Sequence, residues 1–158
     1  MASILTVVTT LQKNRATWAK NLLINSNRVV DIYKDEQSPL TKTIMHYRIN
    51  DFERGESWEL QLSHYINVVS TRLFEDETNP MIWMDVQAFK SFGKEQVTSA
   101  TQRKWKVNAD NIVYAYDISA TQSYVVINRG LNFVRLLTSH TVADLSRAYS
   151  RSASLSKS

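Results

Sequence analysis

The chain contains no cysteine, only three glycines and two prolines in 158 residues. Without cysteine it has no disulfide framework and no thiolate metal site. So few glycines leave no glycine-rich loop that would cradle a phosphate. No apolar run approaches the roughly 20 residues of a membrane-spanning helix, and the N-terminus lacks the basic start and long apolar core of a signal peptide. We therefore expect a soluble protein that is made in the cytoplasm and has no membrane partner.

Sequence patterns typical of catalysis are also missing. No serine lies in a G-x-S-x-G motif, and Asp31 and Asp35 have no recognisable acid–base partner nearby in the sequence. The histidines show neither His-x-x-x-His spacing nor a nearby carboxylate pattern. We interpret His64 and His140, which each follow a serine, as half-buried residues at helix starts. We predict no enzyme activity, no cofactor, no metal and no small-molecule substrate.

The composition is that of a folded chain of modest charge. Hydrophobic residues make up 43% of the sequence, and the net charge of +4 is divided evenly between the two halves. Neither half is a polycation, which weakens a purely electrostatic argument for nucleic-acid binding. The sequence holds four tryptophans, seven tyrosines and five phenylalanines, and such amphipathic bulk is typical of protein–protein interfaces.

The strongest pattern is an internal repeat. Residues 103–128 match residues 20–50 at an offset of 83, so that Asn25 aligns with Asn108 and Tyr33 with Tyr116. An earlier match begins at Ile4 and Ile82 with an offset of 78, and a later one ends at Ser70 and Ser146 with an offset of 76. Offsets that drift in this way indicate one module written twice with loops of different length.

Short β-branched and apolar runs separated by polar turns predict strands in both copies. The predicted fold is mainly β, with an internal duplication of a small four-strand β module, each copy closed by a short helix. In the first copy a bent strand turns at Asn25, and Ser63 is the predicted helix N-cap; Thr138 or Ser139 has that role in the second copy. Residues 90–102 are predicted to be a loop.

Composition divides the chain into four parts. Residues 1–71 form the first module, the acidic segment 72–80 is a linker, and residues 81–146 form the second module. Residues 147–158 are rich in serine and basic residues, which is typical of a tail and not of a packed element.

The repeated pattern of bent strand, strand, glycine turn, strand and capped helix resembles the small β modules of the FlbD type and the LytTR type. The residues that carry this resemblance are Val107-Asn108-Ala109-Asp110-Asn111-Ile112, Tyr124–Ile127, the turn glycine Gly130 and Phe133-Val134-Arg135. It covers about forty residues of the second half and, more faintly, the same span of the first. The LytTR resemblance implies DNA binding through loops and strands, and the FlbD type implies a role in flagellar regulation. Small β modules of this kind also resemble virion proteins of tailed bacteriophages, sometimes in tandem.

The best binding candidate is a cluster of cations around one indole. On a strand, Arg103 and Trp105 share one face and Lys104 and Lys106 the other. The cluster would offer a stacking platform beside cations for single-stranded nucleic acid. Alternatively, Trp105 packs in the core and the lysines protect a strand edge. Arg129 and Arg135 complete this candidate nucleic-acid site.

The expected function is that of a non-enzymatic structural subunit of a large assembly, with other protein subunits as partners and a homo-oligomer as the expected state. A virion component of a tailed phage, at the head–tail junction or capsid, is the leading setting, and the virion is then the expected location. The alternative is a LytTR-like nucleic-acid-binding regulator in the cytoplasm. The candidate partner-interface residues are Trp58, Trp83, Arg147, Tyr149 and Arg151.

Overall fold

The computed structural model of the chain describes residues 2–10, 20–34, 42–48, 57–75, 81–91, 96–129 and 133–157. This part of the protein is mainly β, as predicted, with ten strands and two helices. The elements are β1 (Ala2–Thr10), β2 (Lys20–Asn25), β3 (Val29–Lys34), β4 (Thr43–Arg48), β5 (Ser57–Leu62), α1 (Ile66–Phe74), β6 (Met81–Ser91), β7 (Gln96–Asn108), β8 (Ile112–Asp117), β9 (Ser123–Asn128), β10 (Phe133–Thr138) and α2 (Val142–Lys157). Neither helix, over the described ranges, has the length and apolarity needed to span a membrane.

All ten strands form one antiparallel sheet with the order β2-β1-β5-β4-β3-β7-β6-β10-β9-β8. The first five positions are strands of the first half, and the last five are strands of the second. The halves meet where β3 pairs with β7. Within the described residues β2 and β8 are the two edges of the sheet, since each pairs with one neighbour.

Both halves run through their elements in the same order. Each has two strands, a 3-10 turn, three strands and a helix, and the sheet order of the first five strands is repeated by the last five. We predicted four strands per half, whereas the structure has five. The difference arises at the predicted bent strand, because the 3-10 turns at Ser26–Arg28 and Ala109–Asn111 divide it into two.

The strand pairing extends an alignment of the halves from one pair of residues to the rest of the sheet. Asn25 and Asn108 both precede a 3-10 turn, and they lie 83 residues apart. From this pair, the registers of β4 with β5 and of β9 with β10 give an offset of 76 for β5 and β10, which is the offset of the later sequence match. The first match was wrong by one residue: Ala2 pairs with Asn25 and Met81 with Asn108, which makes Ile4 equivalent to Trp83 and not to Ile82.

The boundaries of the predicted linker and tail change in the structure. Helix α1 continues to Phe74, and Leu73 and Phe74 are buried, so the first residues of the predicted linker belong to the packed module. Helix α2 continues to Lys157, so the segment 147–158 lies in a helix over most of its length. The predicted loop 90–102 is largely strand, since β6 ends at Ser91 and β7 begins at Gln96.

The helix starts also differ from the prediction. The N-cap of α1 is Tyr65 and not Ser63. At α2 the cap is Thr141, whose hydroxyl accepts the amide of Asp144 at 3.2 Å, while the Asp144 carboxylate accepts the amide of Thr141 at 3.1 Å. This is a reciprocal capping box. The amides of Ser63 and Ser139 instead donate to strand carbonyls.

Two hydrophobic clusters form the core, one for each half. Helix α1 lies against β1 and β3, and α2 lies against β6 and β8. Each cluster also receives side chains from the other half: Val30 and Tyr33 of β3 pack into the second cluster, and Met81 of β6 packs into the first. The halves are therefore joined by shared core packing as well as by strand pairing.

Candidate functional site at the junction of the two halves

The junction between the halves is a short strand pairing that is surrounded by buried polar side chains. Asp31, Ile32 and Tyr33 of β3 face Val107, Lys106 and Trp105 of β7, respectively. The Asn108 side chain adds a further bond, because its Nδ2 donates to the Val29 carbonyl at 3.2 Å. Asn108 is buried, so this bond satisfies a carbonyl that water does not reach.

A buried ionic cluster occupies the middle of the junction. The Asp31 side chain has no exposed surface, and its carboxylate accepts Nδ1 of His46 at 2.7 Å and Nε of Arg129 at 2.9 Å. The other imidazole nitrogen of His46 lies 3.5 Å from Oε1 of Glu59. Strands β3, β4 and β5 of the first half thus carry two acids and a histidine, and the second half contributes the arginine that follows β9.

The charges of the cluster shift the pKa values of its members together. Burial alone would raise the pKa of Asp31, but the Arg129 guanidinium and the His46 imidazole outweigh it and hold that pKa below its usual value. Burial and Arg129 would lower the pKa of His46, yet contact with Asp31 and Glu59 raises it. Burial opposes ionisation of Glu59 as well, and the hydrogen bond and charge of His46 nevertheless lower its pKa. The cluster therefore favours an ionised network with a protonated histidine.

Aromatic rings enclose the cluster on the side of the second half. The Tyr33 and Trp105 rings stack with centroids 4.2 Å apart, and Tyr33 lies 5.8 Å from the His46 ring. The guanidinium of Arg129 lies 5.5 Å from the Trp105 ring. Stacked rings and a cation over an indole add to the packing energy of the junction.

This arrangement supports a structural role for the cluster. Asp31 has no solvent access and His46 is 7% exposed, so no substrate reaches them. Asp31 and Glu59 bind opposite nitrogens of one imidazole. In the described part of the chain no group of three or more histidine and acidic side chains is arranged to hold a metal ion. In this cluster the acids of the first half and the arginine of the second half neutralise each other's charge.

The structure places the candidate nucleic-acid residues in different surroundings. Trp105 has no exposed surface, so its ring packs in the core and presents no face to a base. Lys106 is half-buried, its Nζ donates to Oγ of Ser70 at 2.6 Å, and burial lowers its pKa. Arg129 is bound to Asp31. The stacking platform predicted around Trp105 is thus corrected in favour of core packing.

The described side chains of the remaining members of that candidate site have surroundings of their own. Lys104 is exposed on β7, and the Arg135 guanidinium lies 4.2 Å above the Tyr124 ring. Arg103 lies in β7, with its side chain outside the described residues.

The candidate partner-interface residues are distributed over both halves. Trp83 on β6 is 41% exposed, and Tyr149 on α2 is 42% exposed. Arg147 is exposed beside Tyr149 and forms an ion pair with Asp144. Trp58 lies in β5 and Arg151 in α2, and their side chains fall outside the described residues.

A second polar group lines a shallow depression beside Trp83. Nε2 of His140 lies 3.6 Å from Oδ2 of Asp85, and Lys104 and Met84 complete the lining. None of these lining residues carries a hydroxyl or thiol nucleophile, and the distance is that of a loose ion pair.

Sequence reasoning missed the roles of Asp31, His46 and Glu59. The signal for Asp31 was available, since it is a charged residue inside the apolar run VVDIY. A charge at such a position is either exposed on one face or buried with a partner. Nothing in the local sequence identified Arg129 as that partner.

Comparisons of the chain with protein-family models, curated proteins and solved structures gave no match.

Proposed function

We propose that the chain is a non-enzymatic structural subunit that assembles with copies of itself into a large protein assembly, with the virion of a tailed bacteriophage as the expected setting. The observation that carries this proposal is the state of the sheet edges. Exposed large apolar side chains lie on β8 at one edge, and on β2 and the adjoining β1 at the other. They are Val113, Tyr114, Tyr116, Leu23 and Ile4. Open edges with apolar side chains are surfaces for strand pairing between chains.

We further propose that the subunit arose by internal duplication of a five-strand module. Equivalent hydrogen bonds in the two halves support this. The hydroxyls of Thr43 and Ser123 donate to the carbonyls of His64 and His140 at 2.6 and 2.7 Å.

The two 3-10 turns and the registers of the two halves repeat in the same way. Each 3-10 turn is capped by an asparagine Oδ1 that accepts an amide two residues later at 3.0 Å. Register shifts fall at equivalent places, between Val29 and Asp31 and between Ile112 and Tyr114. A duplicated module that already joins itself within one chain is suited to build larger arrays.

The test is the native mass of the purified full chain by light scattering, over a range of protein concentration, at low and moderate salt, with and without nucleic acid. The proposal expects oligomers that persist when salt rises, because apolar strand edges are screened little by ions. A monomer at every concentration would overturn it. So would a monomer that gains mass only with nucleic acid and loses it as salt rises, which is the behaviour of the regulator alternative.

A further inference from the structure

We propose that copies of this chain join head to tail, with β8 of one copy pairing with β2 of the next in the geometry in which β3 pairs with β7 inside the chain. This inference rests on the proposed structural function and specifies the surface through which it acts. The strand order makes β8 the equivalent of β3, and β2 the equivalent of β7. The two edge strands of the described sheet, β8 and β2, are therefore the equivalents of the two partners of a joint that already exists once in the molecule.

The exposed side chains of β8 are equivalent to side chains of β3 that the internal joint buries. In the internal joint, Val30 and Tyr33 of β3 are 0% and 6% exposed, because the second half covers them. Their equivalents on β8, Val113 and Tyr116, are 50% and 43% exposed. The other face of β8 is already covered, since Ile112 and Ala115 pack against the second core cluster. Only the face that would meet a following module is open.

Helix α2 shows the same difference. Leu73 of α1 is fully buried in the first core cluster, to which Met81 of the second half contributes, whereas its equivalent in α2, Tyr149, is 42% exposed. In that joint Lys106 of β7 reaches α1, where its Nζ donates to Oγ of Ser70. The residue equivalent to Lys106 is Leu23, which is 69% exposed on β2. In the proposed joint Leu23 packs against α2 near Tyr149 of the neighbouring copy.

The edge at β2 also carries the polar group that the joint requires. Asn108 donates its side-chain amide to the Val29 carbonyl across the internal joint. Asn25 is equivalent to Asn108, and it is exposed. In the proposed joint Asn25 donates to the Ile112 carbonyl of the neighbour. Transfer of the internal register places Tyr114, Ala115 and Tyr116 opposite Ile24, Leu23 and Leu22 of the neighbour.

The joint between copies lacks the buried acid–histidine pair of the internal joint. Tyr114 stands at the position of Asp31, and Val126 stands at the position of His46. Arg135 stands at the position of Glu59 and is only partly buried, so two separately folded copies meet without the desolvation cost of a buried aspartate–histidine pair. Because β8 and β2 are different surfaces, the contact is heterologous and generates a ring, or a filament if the rotation does not close.

Cysteine cross-linking tests the register directly, since the natural chain has no cysteine. The variants Ala115→Cys and Leu23→Cys each carry one thiol, and are mixed and oxidised. Directly opposite residues in antiparallel strands have Cβ atoms about 5 Å apart, near the range that a disulfide needs. The expected product is a mixed dimer that joins residue 115 of one copy to residue 23 of another.

The matched control pairs Ala115→Cys with Asn21→Cys, which lies on the same strand two residues from Leu23 and is also exposed. The mixed dimer should form about tenfold less in the control, because diagonal neighbours are about 7–8 Å apart. Dimers that join residue 115 to residue 115 would show a symmetric contact between two β8 edges and overturn the head-to-tail model. Equal yields in both mixtures would also overturn it.

The native masses of two lysine variants distinguish a failure of the edge joint from a failure of the proposed structural function. Val113→Lys should raise the concentration of half-assembly at least about tenfold, because the lysine becomes buried only in the assembled state. Val68→Lys is the control, since Val68 is an exposed valine on α1, and it should assemble as the natural chain does. Oligomers that persist in Val113→Lys and give no 115–23 cross-link would overturn the edge joint and leave the structural function standing. A monomeric natural chain would overturn both.

Discussion

The carboxylate of Asp31 and the imidazole of His46 lie 2.7 Å apart on neighbouring strands, and both side chains are buried. A carboxylate only accepts hydrogen bonds when ionised, so Nδ1 of His46 is the donor. The second acceptor oxygen of Asp31 binds Arg129 from the other half. One carboxylate thus links the first half's own strands to the second half.

Asp31→Asn should therefore be strongly destabilising. It leaves the buried guanidinium of Arg129 without its counter-ion and His46 with Glu59 alone, and removing one partner of a buried pair costs about 3–5 kcal/mol. The matched control is Asp85→Asn, whose side chain is 28% exposed and 3.6 Å from His140; its cost should stay below about 1 kcal/mol. Urea unfolding of the two variants measures the difference, and equal losses would contradict the assigned role of the cluster.

His46 and His64 should titrate on opposite sides of the usual pKa of histidine. Contact with Asp31 and Glu59 raises the pKa of His46, whereas burial and the charges of Arg72 and Lys42 lower the pKa of His64. Nuclear magnetic resonance titration of the imidazole protons should place His46 above about 6.5 and His64 below it. Single His→Gln variants assign the signals. A reversed order would show that the Asp31 carboxylate does not stabilise the protonated imidazole of His46 in solution.

The raised pKa of His46 also makes stability depend on pH. Because the folded pKa exceeds the unfolded value, the stabilisation is fully present below about pH 6.5 and is lost as pH rises through the folded pKa. The stability advantage of the natural chain over His46→Gln should shrink as pH rises above about 6.5 in urea unfolding. An advantage that grew over this range would contradict the raised pKa.

Asp31 has the opposite dependence. Its folded pKa lies below the unfolded value, so its contribution is present above about pH 4 and is lost as pH falls further.

Replacement of Asn108 by alanine should destabilise the fold more than replacement of Asn25, because only the Asn108 side chain forms a hydrogen bond across the junction. Asn108 and Asn25 each cap a 3-10 turn, but Asn108 also donates to Val29. Asn108→Ala leaves a buried carbonyl unsatisfied, which costs about 1–3 kcal/mol beyond the cap itself. Asn25→Ala should lose only the cap, about 1 kcal/mol. Urea unfolding at low protein concentration measures both, and an equal cost would place the Asn108 amide away from the Val29 carbonyl.

Local patterns predicted much of the strand content. The pair Asn25 and Asn108 aligned in the sequence because both have the same local role, which is to cap a 3-10 turn. The match at Ile4 and Ile82 slipped by one residue because it rested on apolar alternation, which places little constraint on register. The fusion of both halves into one sheet was not predicted, since it depends on contacts between β3 and β7. The candidate site depends on the same long-range contacts.

Asp31 and Arg129 are 98 residues apart in the chain. During synthesis at about 5–20 residues per second, Arg129 is made roughly 5–20 s after Asp31. Strand β7 is made within that interval, so the inner edge of β3 can gain its strand partner while the Asp31 carboxylate still lacks its arginine. The charge compensation of Asp31 therefore waits for a residue made after most of the second half.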